Sequence, residues 1–369
     1  MKTIMKKVKF TDLYKLIHNK SAILKRVNYL IKKSQFIGGK EVLNFENNFS
    51  KYVNSKYCIS VANGTDALEI AIASLNLKKG SEIILPVNTW ISTAEAIVTN
   101  GCRIVFCDVN LDDYSICLKD LKKKLSSKTK AIMVVHLYGN PTNILQIKKI
   151  INKRNIKIIE DCAQAHGTRL LGKHVGTFGD IGTFSFFPGK NLGGFGDGGA
   201  IVTNSTKIYK YCLRARNHGA LGKYDHIFSG RNSRLDTINA AVLNIKLKNY
   251  NKVIKRRNEL ANIYFKGLKT LKNIELFKLN KKNTHAFHQF VIRTKKRDQL
   301  SSFLKKNKIQ TMVHYPYMLD ELKFFKGKKV KKAKDLGKKI LSLPISEEHS
   351  DNQIKYVVKK IDSYFRKIY

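Results

Sequence analysis

Short apolar runs alternate with stretches of helical periodicity from about residue 57 to residue 205. Several of these runs carry apolar residues on both faces, which is typical of buried strands of a mainly parallel sheet. The segments between them, for instance residues 65–77 and 143–152, repeat apolar residues at the spacing of one helix face. The pattern predicts seven strands, at residues 57–62, 82–85, 103–107, 131–136, 156–160, 181–186 and 200–203.

This alternation predicts an α/β protein whose mainly parallel seven-stranded sheet is flanked by helices and binds its ligand at the carboxyl ends of the strands. After Leu235 a long helical pattern, running on through Tyr264, predicts a bridge to a smaller α+β domain. There we expect a strand at residues 288–294, a helix at 297–307 and a closing helix at 351–365, capped by Ser350 and Gln353. The predicted division is a large domain of residues 1–245, including a helical N-terminal segment, and a small C-terminal domain of residues 246–369.

The composition agrees with a folded protein that buries a sizeable core. The chain has 369 residues, of which 43% are apolar and 10% aromatic, so it is long enough for one large core and a companion domain. Its first ten residues are charged without the apolar run of a signal peptide, and no stretch approaches the length of a membrane span. We therefore expect a cytoplasmic protein with no membrane partner.

The formal charge of +43 first suggests a nucleic-acid partner, because summed positive charge attracts phosphates. The lysines are spread along the whole chain, however, and lack the clustered stripe with interleaved aromatics that a nucleic-acid groove needs. We expect no nucleic acid as the main partner, although diphosphate-bearing substrates would be attracted. The six cysteines form no CxxC pair, which predicts reduced, packed thiols, and we expect no metal site.

Polar residues follow the ends of several predicted strands. The first strand runs into Asn63-Gly64-Thr65-Asp66 and then into a helix. Backbone amides at a helix start, beside a hydroxyl and a glycine that allows close approach, form a cup for phosphate. An ordinary helix cap by Asn63 or Thr65 is the alternative.

A carboxylate follows the strand at residues 156–160. Asp161 stands at the mouth of this buried strand, where its charge is costly unless a cation meets it. A pyridinium nitrogen would do so and would stay protonated as an electron sink, while Gln164 could reach the oxygen of the ring. An aspartate that caps the next turn is the alternative, and His166 is interpreted as structural.

A lysine in a glycine-rich setting follows the strand at residues 181–186. Lys190 comes after Pro188-Gly189 and could be held in a dry pocket, where desolvation lowers the amine pKa enough for attack on an aldehyde. Ser185 offers a hydroxyl to a phosphate, and Trp90, after the second strand, could stack on a cofactor ring. The alternatives are a surface lysine and a core tryptophan. The glycines at 193–199 precede a strand, so they do not form a dinucleotide-binding loop.

Taken together, these motifs resemble the DegT/DnrJ/EryC1/StrS family of sugar aminotransferases, which have the pyridoxal-phosphate transferase fold of type I. The resemblance covers nearly the whole chain. It rests on residues 36–39, 62–68, 160–167, 185–199, 232–236, 314–316 and 341–344. Cys162 and Asn239 depart from the family pattern, where Ala and Gln are usual.

The resemblance implies pyridoxal 5'-phosphate as cofactor and assigns roles to the residues around it. Lys190 would form the internal aldimine, Asp161 would hold the pyridine nitrogen and Gln164 would bond the ring hydroxyl. Trp90 would stack on the ring.

The same resemblance implies how the phosphate and the sugar are bound. Gly64, Thr65 and Ser185 would hold the phosphate, helped by Asn232 of a second subunit, so a homodimer with a shared site is expected. His314 and Tyr315 would lie near the sugar.

The implied activity is transamination from an amino acid, glutamate being expected, to a nucleotide-linked keto sugar for amino-sugar and polysaccharide biosynthesis. Family members with His at the lysine position dehydrate the sugar instead, and Lys190 favours transfer. The stretch 232–236 is similar to members acting on 3-keto sugars, whereas an aromatic residue in place of Ser233 is commoner in 4-keto enzymes. A dehydratase or epimerase with the same cofactor, and a non-catalytic regulator, remain the alternatives.

Overall fold

The computed structural model describes residues 7–152, 154–325, 330–331 and 333–366. Its strands are β1 (Tyr57–Val61), β2 (Glu82–Pro86), β3 (Arg103–Cys107), β4 (Thr129–Val135), β5 (Lys157–Asp161), β6 (Arg169–Leu170), β7 (Lys173–His174), β8 (Ile181–Ser185), β9 (Gly199–Thr203), β10 (Glu275–Leu276), β11 (Phe290–Arg293) and β12 (Ile340–Leu343). Its α-helices are α1 (Lys20–Lys32), α2 (Gly39–Val53), α3 (Gly64–Ala73), α4 (Ser92–Thr99), α5 (Leu118–Lys124), α6 (Ile144–Ile151), α7 (Thr206–Ala215), α8 (Thr237–Leu247), α9 (Tyr250–Leu268), α10 (Arg297–Lys306), α11 (Leu336–Lys339) and α12 (Asp351–Arg366). None of these helices is long and apolar enough to cross a membrane.

The seven predicted strands form the central sheet, in the order β1-β9-β8-β5-β4-β2-β3. Every pairing is parallel except the two made by β9, so the other six strands end at the same edge. This confirms the predicted α/β class and the mainly parallel sheet. The polar residues that follow β1, β2, β5 and β8 are thereby gathered at one edge of the sheet.

One predicted strand is shifted by a residue, and the shift matters for Asp161. The strand predicted at 156–160 is observed at Lys157–Asp161, because the Ile156 amide closes a turn on the Arg154 carbonyl at 2.8 Å. Asp161 is instead paired in the sheet, with Val135 on one side and Thr183 on the other. Its backbone is therefore fixed by two neighbouring strands.

The single long helical pattern predicted after Leu235 is wrong: the segment forms two helices, α8 and α9. Asn249 separates them with non-helical dihedrals, φ −113° and ψ 16°. The break turns Tyr250 into the core, where its hydroxyl donates to the His166 carbonyl at 3.1 Å. Periodicity alone could not show it, because both helices carry apolar residues at compatible spacing.

A second, antiparallel sheet in the order β10-β11-β12 lies in the C-terminal part, where α10 packs on β12 and α12 packs on both α9 and α10. The predicted cap of α12 is confirmed. Ser350 Oγ accepts the Gln353 amide at 3.2 Å, and Gln353 Oε1 accepts the Ser350 amide at 2.9 Å. The domain division at residues 245 and 246 stays a prediction, since α8 continues to Leu247 and packs on α2 of the large unit.

Candidate active site

Asp161 ends β5 and is only 6% exposed. Its Oδ2 accepts a hydrogen bond from Thr93 Oγ1 at 2.9 Å, and Thr93 in turn contacts Thr89 Oγ1 at 2.9 Å. Its Oδ1 accepts the Ala163 amide at 3.0 Å, so the aspartate also caps the following turn, as the alternative interpretation had it. Two hydroxyl side chains on one flank therefore fix the direction of the carboxylate.

Lys190 lies in the loop after β8, where its amide donates to the Phe187 carbonyl at 2.8 Å. Although the residue keeps partial exposure, the atoms around its amine desolvate the charged form and lower its pKa to about 8. The Asp161 carboxylate lies near enough to oppose this shift. Lys190 is thus not a solvated surface lysine, and at pH 7 about a tenth of its amine is uncharged, far more than for a lysine with an ordinary pKa.

The start of α3 lies against the end of β8. Asn63 Oδ1 accepts the Asp66 amide at 2.8 Å and caps the helix, while Thr65 Oγ1 donates to Ser92 Oγ at 2.9 Å. A Cβ atom on Gly64 would lie 2.6 Å from Ser185 Cβ, so only glycine permits this approach. The first amides of α3 and the Ser185 hydroxyl are thus brought together, as the sequence predicts for a phosphate site.

Gln164 connects the sheet to the C-terminal part of the chain. Its Oε1 accepts the Tyr138 amide at 2.7 Å, and its Nε2 donates to the Tyr315 hydroxyl at 3.0 Å. The Tyr315 ring lies 5.4 Å from the ring of Trp90, measured between centres. Trp90 is 57% exposed, so it is not the core residue of the alternative interpretation.

His314 lies on the same side of the site. Its Nδ1 contacts Ser342 Oγ at 2.9 Å, and its carbonyl accepts a hydrogen bond from the Tyr138 hydroxyl. Burial, and secondly the charge of Lys190, lower its pKa to about 4, which makes the ring neutral at physiological pH.

Asn232 is the predicted site residue that the single chain does not bring to this cluster. It is exposed, and its backbone pairs with Asn217. The adjacent Ser233 is fully buried and accepts the Ala62 amide on Oγ at 3.1 Å.

The loop that carries Lys190 contacts two residues that the sequence did not single out, Ala286 and His288. Asn191 donates from Nδ2 to the Ala286 carbonyl at 2.9 Å, and its Oδ1 pairs with His288 Nδ1 at 3.0 Å. The loop is therefore fastened to the segment before β11. Burial first, and then the charge of Lys190, hold the pKa of His288 well below its usual range. No local motif marks these residues, because they meet only through the packing of the two sheets.

His166 is buried between Phe184 and Phe186, each with its ring centre 5.5 Å away. Burial lowers its pKa to about 3. This placement agrees with the structural interpretation of the residue.

Glu160, beside Asp161 in β5, belongs to a separate buried network. Its carboxylate accepts the amides of Gly176, Phe178 and Gly179 and pairs with His136 Nε2 at 3.0 Å. Cys162 completes a group of potential metal ligands with Glu160 and His136. Because backbone amides already occupy both Glu160 oxygens, the group serves to hold the turn after β7 against β5.

Comparisons with known proteins agree with this geometry. Residues 18–362 match the DegT/DnrJ/EryC1/StrS aminotransferase family. The chain is 38% identical to the dTDP-3-amino-3,6-dideoxy-alpha-D-galactopyranose transaminase of Aneurinibacillus thermoaerophilus, over 97% of this chain and 99% of the relative. It is 32% identical to the dTDP-3-amino-3,4,6-trideoxy-alpha-D-glucose transaminase of Streptomyces venezuelae, over 92% and 91%. The crystal structure of S. venezuelae DesV in complex with a ketimine intermediate superposes with a TM-score of 0.94 at 31% identity, covering 98% of this chain and 99% of that one.

Proposed function

We propose that this chain, which belongs to the DegT/DnrJ/EryC1/StrS aminotransferase family, transfers the amino group of glutamate to C3 of a nucleotide-linked keto sugar. Aminotransferases of this family use pyridoxal phosphate. The observation that carries the proposal is the desolvated amine of Lys190, with a pKa of about 8, close to the fixed carboxylate of Asp161. A carbonyl-binding amine and an anion for a pyridinium are what this cofactor requires.

The other residues fit the same cofactor. The first amides of α3 at Gly64 and Thr65, together with the Ser185 hydroxyl, would hold the phosphate. Gln164 would donate to the ring oxygen, because Tyr138 fixes its Oε1 as an acceptor and so directs its Nε2 outward. Trp90 would cover one face of the ring.

When bound, the cofactor supplies an electron sink and carries the amino group from the first substrate to the second. The chain's own contribution is proton transfer and orientation. Lys190 Nζ, once free, takes the Cα proton of glutamate, which leaves as 2-oxoglutarate. In the second half-reaction, which runs in the opposite direction, Nζ delivers a proton to the sugar carbon that receives the amine. His314 and Tyr315 orient the sugar.

The C3 position is supported by Ser233 and by the relatives. Ser233 is fully buried and bonded to the Ala62 amide, so a larger aromatic side chain would displace the end of β1. The two transaminases compared above are named for 3-amino sugars. Lys190 in place of His supports transfer over dehydration.

A homodimer with a shared site is part of the proposal. Phe36, Ile37 and Phe195 are large apolar side chains left about half exposed, and they line a cavity of about 340 Å³ together with Ile238. A second copy would cover this surface, and Asn232 would then reach the phosphate of the partner's site.

The test is incubation of the purified protein with glutamate and a panel of nucleotide-linked 3-keto and 4-keto sugars, with product masses read by mass spectrometry. We expect an amine in place of the ketone, formed from a 3-keto sugar only when glutamate is present, and no product with Lys190→Ala. A dehydrated sugar, product formation without glutamate, or full turnover by Lys190→Ala would contradict the proposal. Amination of 4-keto sugars alone would overturn the C3 assignment and leave transamination standing.

A further inference from the structure

The N-terminal strap, defined here as residues 8–12, is fastened across the C-terminal part of the chain. Val8 is fully buried and bridges to Ile309. Its amide donates to the Lys308 carbonyl at 2.9 Å, and its carbonyl accepts the Gln310 amide at 2.9 Å. The strap thus begins as an added strand beside the loop after α10.

Residues 9–12 of the strap are also held by hydrogen bonds. The Phe10 amide donates to Gln310 Oε1 at 3.0 Å, and the Lys9 carbonyl contacts His349 Nε2 at 2.9 Å. The Asp12 amide donates to Glu348 Oε1 at 2.8 Å. The strap precedes residue 18, where the match to the family begins, so that match assigns it no role.

The side chain of Phe10 packs beside His314, a residue of the candidate active site. Its ring lies 5.9 Å from the ring of His314, at an interplanar angle of 33°. On its other sides, His314 contacts Ser342 through Nδ1, Tyr138 through its carbonyl and the Tyr315 ring at 5.7 Å. Nε2 is the ring nitrogen that these contacts leave for a substrate.

We propose that Phe10 is a positioning residue for the sugar step: its ring, fixed by the strap, holds the His314 imidazole in place and keeps water from it. This rests on the proposed function. An uncharged His314 would then present Nε2 to a sugar hydroxyl in a defined direction, since the Nδ1 contact to Ser342 and the flanking rings of Tyr315 and Phe10 determine the plane of the imidazole.

The groups around His314 agree with an uncharged ring. Burial is the first cause of its pKa of about 4, and the positive charge of Lys190 is the second. His288 is held neutral as well, and burial raises the pKa of both Tyr138 and Tyr315, so neither supplies an anion.

On the strap itself, Lys9 and Asp12 pair with each other at 2.8 Å. No carboxylate of the strap is therefore left to stabilise the imidazolium. Removing the Phe10 ring would admit water and move the His314 pKa up towards its ordinary value near 6.5.

The test compares two single-turnover reactions of the pyridoxal-phosphate enzyme, each followed by the loss of cofactor absorbance. One uses glutamate, and the other uses dTDP-3-amino-3,6-dideoxy-alpha-D-galactopyranose as the amine, which runs the sugar step in reverse. With Phe10→Ala, we expect the sugar rate relative to the glutamate rate to fall by up to about fourfold at pH 6.0 and by less than twofold at pH 8.0, because a pKa raised as far as 6.5 would leave about a quarter of His314 neutral at pH 6.0.

Phe10→Leu is the matched control, since it keeps an apolar side chain over the imidazole, and it should restore the ratio at pH 6.0. An unchanged ratio in Phe10→Ala, or an equal fall of both rates, would overturn the role of Phe10. If the wild-type protein responds to neither amine, the proposed function fails instead, so the two failures are distinguishable.

Discussion

At the scale of single residues, the proposed function depends on how Asp161 is held. A carboxylate that is to pair with a ring nitrogen must be fixed, and Thr93 supplies the fixing hydroxyl on Oδ2. Thr93 is buried, and its hydroxyl also contacts the hydroxyl of Thr89. The orientation of the Asp161 carboxylate therefore depends on a residue from α4.

Thr93→Val keeps the shape of the side chain and removes this hydrogen bond. A hydrogen bond to a charged group contributes about 1.5 kcal/mol, so we expect kcat/KM to fall about tenfold with the fold retained. Steady-state kinetics and circular dichroism measure the two quantities. Thr99→Val, at the exposed end of the same helix, is the control and should leave kcat/KM unchanged. Equal activity in the two variants would show that the Thr93 hydroxyl has no role in the site.

The sequence predicted those site residues that end strands, and it missed those that arrive by packing. Asp161 could be predicted because a charged residue at the end of a buried strand is unusual in itself, and Lys190 because its Pro188-Gly189-Lys190 setting belongs to the motif that resembles the family. Tyr138, Thr93 and His288 carry no such local signal. Their positions depend on how loops and the second sheet meet the first, which one sequence without its fold does not specify.

At the scale of elements, the approach of α3 to β8 forms the candidate phosphate site. Gly64→Ala would place a Cβ atom 2.6 Å from Ser185 Cβ, so the start of the helix must move away from the strand. Such overpacking costs about 1–3 kcal/mol. We expect weaker binding of pyridoxal phosphate and a lower Tm, measured by cofactor titration and thermal unfolding.

Gly222→Ala is the control for Gly64→Ala, because a Cβ atom there would meet only ordinary contacts, the nearest at 3.5 Å from Asp225. It should bind the cofactor as the wild type does. Wild-type affinity in Gly64→Ala would show that the phosphate is held elsewhere.

The strands were predictable and the helix junction was not, for a physical reason. Short runs with apolar residues on both faces, set between segments of helical periodicity, are typical of buried strands, so the seven strands of the central sheet could be predicted from the sequence. The break between α8 and α9 depends on Tyr250 reaching the His166 carbonyl, a contact between residues 84 positions apart. Local periodicity does not contain that information.

At the scale of the whole molecule, several histidines are buried in neutral form. Burial lowers the pKa of His166 and His285 to about 3 and of His174 and His314 to about 4, and it holds that of His288 well below its usual range. In the unfolded chain each takes up a proton near pH 6.5. The unfolded state therefore binds more protons below that pH, and stability is lost as the pH falls.

We expect the free energy of unfolding of the apoprotein to decrease from pH 6.5 towards pH 4, by up to about 1.4 kcal/mol per pH unit for each such histidine. Urea unfolding at pH 7.5 and pH 5.0, at constant ionic strength, measures it. His285→Leu should reduce the pH dependence. A midpoint that does not change between the two pH values would show that these histidines are charged in the folded protein.

The most direct test of the central claim, that Lys190 is the residue that bonds covalently to pyridoxal phosphate, is borohydride reduction of the holoprotein followed by peptide mass spectrometry. The sequence contains 57 lysines, so many other side-chain amines could carry the label. We expect one phosphopyridoxyl group per chain, on the peptide containing Lys190, and none in Lys190→Ala. A label on another lysine, or an unlabelled wild-type protein with full cofactor content, would contradict the claim.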